Sequence, residues 1–286
     1  MRDAAPLVVT RDGPVGIVEL ARPEKFNSLS MAMTEGLQLV LDDFEAPGSG
    51  VRAVLVCAQG ENFCTGADLD EVLALRADAE HVRRFIGPAH RALRRFETSP
   101  LPVVAACQGL ALAGGLELMM ACDVVFCAAD ARFGDQHAQY GLLPGFGGSQ
   151  RLPRLVGIRR ALDLFFSARW IDAETALQWG LVNQVVAPEA LADAALDYCR
   201  MLATRSRHGL ATMKRLARAG LEGSLNAGLA LEEAEVVDGL LHDDASQGLA
   251  AFGARRVPLR RMNPSIEPDA LEAVACRPMA TGDPHR

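Results

Sequence analysis

Pro100-Leu-Pro-Val-Val-Ala-Ala-Cys107-Gln-Gly109-Leu-Ala-Leu-Ala-Gly114-Gly115-Leu-Glu117-Leu-Met-Met-Ala-Cys-Asp123 is the stretch on which the fold turns. It is almost wholly apolar and long enough for a membrane span. Three glycines argue against that reading, since each costs a helix interior about 1 kcal/mol relative to alanine. Glu117 would add an uncompensated charge in lipid. A buried strand, a turn and a buried helix explain the same residues better. Val103 to Cys107 is a short run with prolines before it and Gln108-Gly109 after it, the signature of a central strand. Gly114-Gly115 then open a helix whose first N–H groups are free and electropositive, with Glu117 in its first turn. An anion-holding amide beside a carboxylate in an apolar wall is a catalytic arrangement. Helix–strand packing alone would account for the glycines equally well.

A second glycine loop shifts that balance. Val51 to Cys57 reads as another strand and runs into Gln59-Gly60-Glu-Asn-Phe63-Cys64-Thr65-Gly66-Ala67-Asp68-Leu69, where Asp68 can cap a following helix. Taken together, the two segments resemble the crotonase superfamily, the enoyl-CoA hydratase/isomerase family. The matching residues are Phe63 to Leu69, Gln108-Gly109 through Gly114-Gly115-Leu116-Glu117, and Cys122-Asp123. Further on, Phe133-Gly134, the run from Gly141 to Leu152 and the run from Ala176 to Val182 also match. Each motif is weak alone. Their order and spacing, from about Val8 to Pro258, make the resemblance specific to the family though not to one reaction.

The resemblance implies an α/β fold, a spiral of repeated ββα units with a C-terminal helical region that drives trimerisation, as a homotrimer or a dimer of trimers. Expected bounds are 1–200 for the spiral core with its acyl-CoA site and 201–261 for the helical subdomain, and from Met262 the sequence loses periodicity, so 262–286 is expected to be a mobile tail. The resemblance also implies site residues. The backbone N–H groups of Ala67 and Gly114 would hold a thioester oxygen, and Glu117 would be the principal acid/base. Lys25, Phe26, Asp68, Leu69, Gly145 and Phe252 would line the substrate or its coenzyme A moiety, with Arg22, Lys214, Arg255 and Arg256 as further candidates. No separate cofactor and no metal is expected, coenzyme A being part of the substrate.

The chemistry is legible from the residues. A thioester becomes reactive at its α and β carbons when its carbonyl oxygen gains negative charge, and each preorganised N–H donor lowers that barrier by ~3 kcal/mol. Hydration of a 2-enoyl thioester also needs a base for water and a proton for the α carbon. Family hydratases usually supply both from two glutamates. Here the second position is His137, in Phe133-Gly134-Asp135-Gln136-His137-Ala138. Three outcomes stay open. Glu117 can work with His137, whose imidazole accepts and donates near neutral pH. Glu117 can shuttle a proton alone. Or the reaction is double-bond isomerisation, thioester hydrolysis or carbon–carbon cleavage, with a non-catalytic acyl-CoA scaffold as the alternative from another class. Asp135 is a further acid that can swing in.

Composition bounds the rest. The chain has 286 residues, half of them hydrophobic, and a formal charge of -7, so it can bury a large core and does not advertise itself to nucleic acid. The seven cysteines are odd in number and several fall in buried segments, which reads as reduced thiols in a cytoplasmic setting. Residues Met1 to Gly13 hold no secretory h-region. Gly145-Phe146-Gly147-Gly148-Ser149-Gln150 follows Pro144 outside any βαβ context, which argues against NAD, and Ser149 sits in no G-x-S-x-G elbow. No metal-ligand spacing is found among the six histidines.

The local expectations are a hairpin around Asp12-Gly13-Pro14, a Ser30-capped helix to Glu45 and one helix from Glu71 to Thr98 kinked or split at Pro88. After these come strands at Val124 to Ala128 and Ala131 to Phe133, a helix Ala173 to Trp179 capped by Asp172, a short strand from Leu181 to Val186, and four C-terminal helices at about 189–203, 209–220, 225–241 and 244–253.

Overall fold

The computed structural model describes residues 5–254. The expected tail and the candidates Arg255 and Arg256 lie outside the described residues. The chain divides after Arg200 into two compact units.

In the first unit, β1 (Leu7–Asp12) and β2 (Val15–Leu20) form the expected hairpin, and Gly13 takes a positive φ in its turn. Then α1 (Met31–Glu45) starts where Ser30 Oγ accepts from Met33 N. Next come β3 (Ala53–Ala58), α2 (Leu69–Leu75) and α3 (Ala79–Thr98). After them follow β4 (Val103–Cys107), β5 (Leu110–Leu112), α4 (Gly114–Ala121), β6 (Val124–Ala128) and β7 (Arg132–Gly134). The unit continues through α5 (Gly148–Val156), α6 (Ile158–Ser167), β8 (Ile171–Asp172), α7 (Ala173–Gln178) and β9 (Gln184–Val186). It ends in α8 (Leu191–Ala203), which spans the division.

The six-stranded sheet has the order β1-β2-β3-β4-β6-β9, and every pair beyond the hairpin is parallel. A second sheet, β5-β7-β8, runs beside the helix that follows β5. Strand, short strand, helix: the repeat is the ββα spiral. β4 is buried at all five positions, as its unbroken apolar run requires. Phe44, Phe63, Phe96 and Phe133 are fully buried around it, each contributing about 1.5–3 kcal/mol.

Two expectations need correction. The helix drawn from Glu71 to Thr98 is two helices, and the break falls at Asp78, not at Pro88. Asp78 Oδ1 accepts from Glu80 N at 2.7 Å and His81 N at 3.1 Å, so a side-chain cap starts α3. Pro88 lies inside α3 without ending it, because Phe85, Ala89, Ala92, Leu93 and Phe96 bury one continuous face that outweighs the lost hydrogen bond. The strand drawn from Leu181 is shorter, beginning at Gln184, since Leu181 N and Val182 N still bond back to Ala176 O at the end of α7.

In the second unit α9 (Arg207–Glu222), α10 (Leu225–Leu241) and α11 (Asp243–Gly253) form an all-helical group. Ser206 and Ser224 cap the first two, and His242 caps the third through Nδ1. Arg215 pairs with Glu235 between α9 and α10. The rings of His208 and His242 stack at 4.1 Å.

Candidate active site

Two loops are laced together by backbone bonds. Phe63 N donates to Gln108 O (2.9 Å), Cys64 N to Leu110 O (3.1 Å) and Leu112 N to Cys64 O (2.9 Å). On the other side of the first loop, Leu29 N donates to Gly66 O at 2.7 Å and Asp68 N to Leu29 O at 3.0 Å. Ala67 is thereby fixed beside the start of α4. Gly115 permits the approach: a methyl there would lie 1.9 Å from Cys64 O. Ala113 makes the turn into the helix with φ 47° and ψ −118°, a region that L side chains rarely occupy.

The backbone nitrogens of Ala67 and Gly114 lie near one another. A methyl built on Gly114 would fall 3.2 Å from Ala67 N, and one on Gly66 would fall 3.4 Å from Gly114 N. Neither N–H is taken up by a turn, loop or side-chain acceptor among the described residues. Both residues line a cavity of about 360 Å³.

Glu117 opens into the same cavity and is 1% exposed. Its Oε1 accepts from Phe146 N at 2.8 Å and from Gly148 N at 2.6 Å. Its Oε2 is buried with no partner among the described residues. Burial raises the pKa of this carboxyl above the ordinary glutamate value, against the opposing pull of the two N–H groups and of His137. One oxygen is held and the other is left for chemistry.

His137 also lines the cavity, and Asp135 does not. Asp135 is 2% exposed, and its Oδ1 lies 3.0 Å from His137 Nδ1. In this arrangement the acid bonds the imidazole at Nδ1, so that Nε2 is the other ring nitrogen. Burial works to lower the His137 pKa, but the bond and charge of Asp135 and the charge of Glu117 outweigh it and raise it. Gln136, between the two, takes a left-handed φ of 62°, and its side-chain amide is tied to Ala168 O.

Of the other expected residues, Lys25, Asp68, Leu69 and Gly145 line the cavity. Asp68 caps α2 and pairs with Arg22 at 2.8 Å; burial works to raise its pKa, and Arg22 more than reverses that. Arg22 thus braces the loop. Lys25 reaches Asp70 at 2.6 Å in an exposed pair. Phe26 is 56% exposed in the neighbouring left-handed turn and does not line the cavity. Phe252 and Lys214 belong to the second unit, in α11 and α9. The apolar wall comes from residues that sequence reading did not assign: Val72, Phe85, Ile86, Leu142, Leu143 and Phe146. Cys64, next to the loop, is no nucleophile, since burial pushes its thiol up to about 12.

The family model described as enoyl-CoA hydratase/isomerase matches residues 10–259. The chain belongs to the enoyl-CoA hydratase/isomerase family. A protein of Rhizobium meliloti (strain 1021) named probable enoyl-CoA hydratase is 34% identical over 250 residues, covering 87% of this chain and 95% of its own. A short-chain-enoyl-CoA hydratase of Clostridium acetobutylicum is 31% identical over the same shares of each chain. The crystal structure of an enoyl-CoA hydratase from Bacillus anthracis superposes with a TM-score of 0.85 at 33% identity, covering 90% of this chain and all of that one. The spiral and its C-terminal helices are the crotonase fold. No helix of the described residues is long and apolar enough to cross a membrane.

Proposed function

We propose that this member of the family adds water reversibly to a 2-enoyl-CoA thioester, with Glu117 and His137 as the acid/base pair. One observation carries the reading: a buried carboxylate oxygen of Glu117 has no partner among the described residues, in a cavity that the open amides of Ala67 and Gly114 also line. The thioester oxygen takes the two amides. Glu117 Oε2 removes a proton from water as its oxygen bonds to C3. The C2–C3 π electrons pass through C2 toward the carbonyl, and His137 Nε2 delivers its proton to C2. The raised pKa of His137 favours the charged imidazole, which suits the donor, and the bare oxygen of Glu117 suits the acceptor of water's proton. No cofactor enters these steps.

Lys25 in this reading meets a phosphate of coenzyme A once Asp70 is displaced. The second unit fits a trimer contact, because α10 exposes Leu225, Leu229, Val236, Val237, Leu240 and Leu241. The free, buried cysteines suit a reducing cytoplasm.

The Asp135–His137 pair favours a second reading, thioester hydrolysis, in which the same imidazole activates water toward C1. Both are tested by incubating the protein with crotonyl-CoA and with longer and aromatic 2-enoyl-CoAs. Loss of the enoyl-thioester absorbance without release of free thiol supports hydration. Thiol release supports hydrolysis. No turnover of any of them removes the hydratase reading.

A further inference from the structure

Glu117 owes its geometry to a loop, and the loop is held from behind. The two N–H groups that hold Oε1 belong to Phe146 and Gly148, and the residue between them, Gly147, has φ 104°. A methyl on Gly147 would lie 2.2 Å from Arg151 Nη1, so the guanidinium lies hard against this turn. Arg151 Nη1 donates to Phe146 O at 2.6 Å. Its Nε and Nη2 grip Glu97 Oε1 and Oε2 at 2.8 and 2.9 Å. The pair is largely buried, with the Glu97 side chain 8% and the Arg151 side chain 14% exposed. Bidentate charge-assisted contacts of this kind fix orientation as well as adding energy.

We infer that Arg151, anchored by Glu97 on α3, is a positioning residue for Glu117: it fixes the 146–148 turn so that two amides hold one carboxylate oxygen and leave the other bare. The inference rests on Glu117 being the acid/base group proposed above. Nothing in the clamp touches the cavity, since neither Arg151 nor Glu97 lines it. The charged and titratable groups around the clamp are Glu97, Arg94 and His90 from α3. Those facing Glu117 are His137 and Asp135. With the turn released, Glu117 loses the hydrogen bonds that favour its charged form, so its titration moves upward.

The test uses the full chain with Arg151→Gln, Arg151→Lys and Glu97→Gln, each first checked for native far-UV circular dichroism. Two readouts are taken. The first is the titration of the Glu117 carboxyl by infrared difference spectroscopy, with Glu117→Gln as the assignment blank. The second is kcat and KM on the enoyl-CoA that the wild type turns over best. The expected result is an upward shift of the Glu117 midpoint in all three variants, smallest in Arg151→Lys. It is joined by a kcat fall of about tenfold to a hundredfold with KM little changed, the cost of misplacing a catalytic group. An unmoved midpoint in folded variants overturns the inference, whatever their activity. If the wild type turns over no enoyl-CoA, the hydratase reading fails by itself, and the infrared titration still decides whether the clamp sets Glu117. Should Arg151→Gln fail to fold, Glu97→Gln and Arg151→Lys carry the same decision.

Discussion

Oδ1 of Asp135 lies 3.0 Å from Nδ1 of His137, which makes a buried carboxylate the partner of a histidine that lines the cavity. The contact gives the imidazole a fixed ring orientation and a raised pKa. Glu117, across the cavity, is raised as well, by burial.

The pH dependence of kcat/KM follows from these two directions. The proposed hydration needs ionised Glu117 and protonated His137 together, so a bell-shaped profile is expected. Its acid limb lies above the ordinary glutamate value, and its alkaline limb lies above the ordinary histidine value. Asp135→Asn removes the group that raises His137 most and a smaller contribution that raises Glu117, so the alkaline limb moves down further than the acid limb. A profile with an unmoved alkaline limb in that variant would take His137 out of the mechanism.

Gly114→Ala tests the amide pair. The added methyl would crowd the Phe146 ring at 3.0 Å and the Ala67 amide at 3.2 Å, filling the space in which a thioester oxygen would sit. Loss of one such donor costs about a hundredfold to a thousandfold in kcat. Steady-state kinetics check it, with thermal unfolding as the control for a folded protein.

Ala113 carries strain at the same turn. At φ 47° and ψ −118° its side chain is disfavoured where glycine is not. Ala113→Gly is expected to stabilise the chain by about 1 kcal/mol, the low end of what such a conformation costs. Gly115→Ala goes the other way. Its methyl would meet a backbone oxygen at 1.9 Å, and the destabilisation is expected to exceed about 4 kcal/mol, the range reserved for severe core defects. Urea unfolding monitored by far-UV circular dichroism measures both.

Lys25 faces the cavity from an exposed pair with Asp70. Lys25→Ala should raise KM for acyl-CoA several-fold with kcat nearly unchanged, and the difference from wild type should shrink as salt is added. Equal KM values at low salt would remove Lys25 from coenzyme A binding.

The parts of this site that the sequence revealed are those made by backbone. Gly66-Ala67 and Gly114-Gly115 announce themselves because a methyl at Gly115 would fall 1.9 Å from Cys64 O and Gly66 takes a positive φ of 122°. The sheet strands were readable for a related reason: Val103–Cys107 is buried on both faces and so is apolar throughout. Short β5 was hidden because Leu110–Leu112 continues the same apolar run. Pairings across the fold left no local trace. Nothing in Phe146 or Gly148 signals that their N–H groups hold Glu117, and nothing in Asp135 signals a bond to a ring two residues on. Glu97 and Arg151 are 54 residues apart and look like solvated charges until the structure brings them together. The wall residues Phe85 and Ile86 were readable only as the buried face of a helix.

The free oxygen of Glu117 is tested most directly by single-turnover hydration of a 2-enoyl-CoA by wild type and Glu117→Gln, followed by enoyl-thioester absorbance. A rate loss of about a hundredfold or more is expected in the variant, in line with removal of a positioned acid/base group, with coenzyme A ester affinity retained. A variant that hydrates the substrate at the wild-type rate would contradict it.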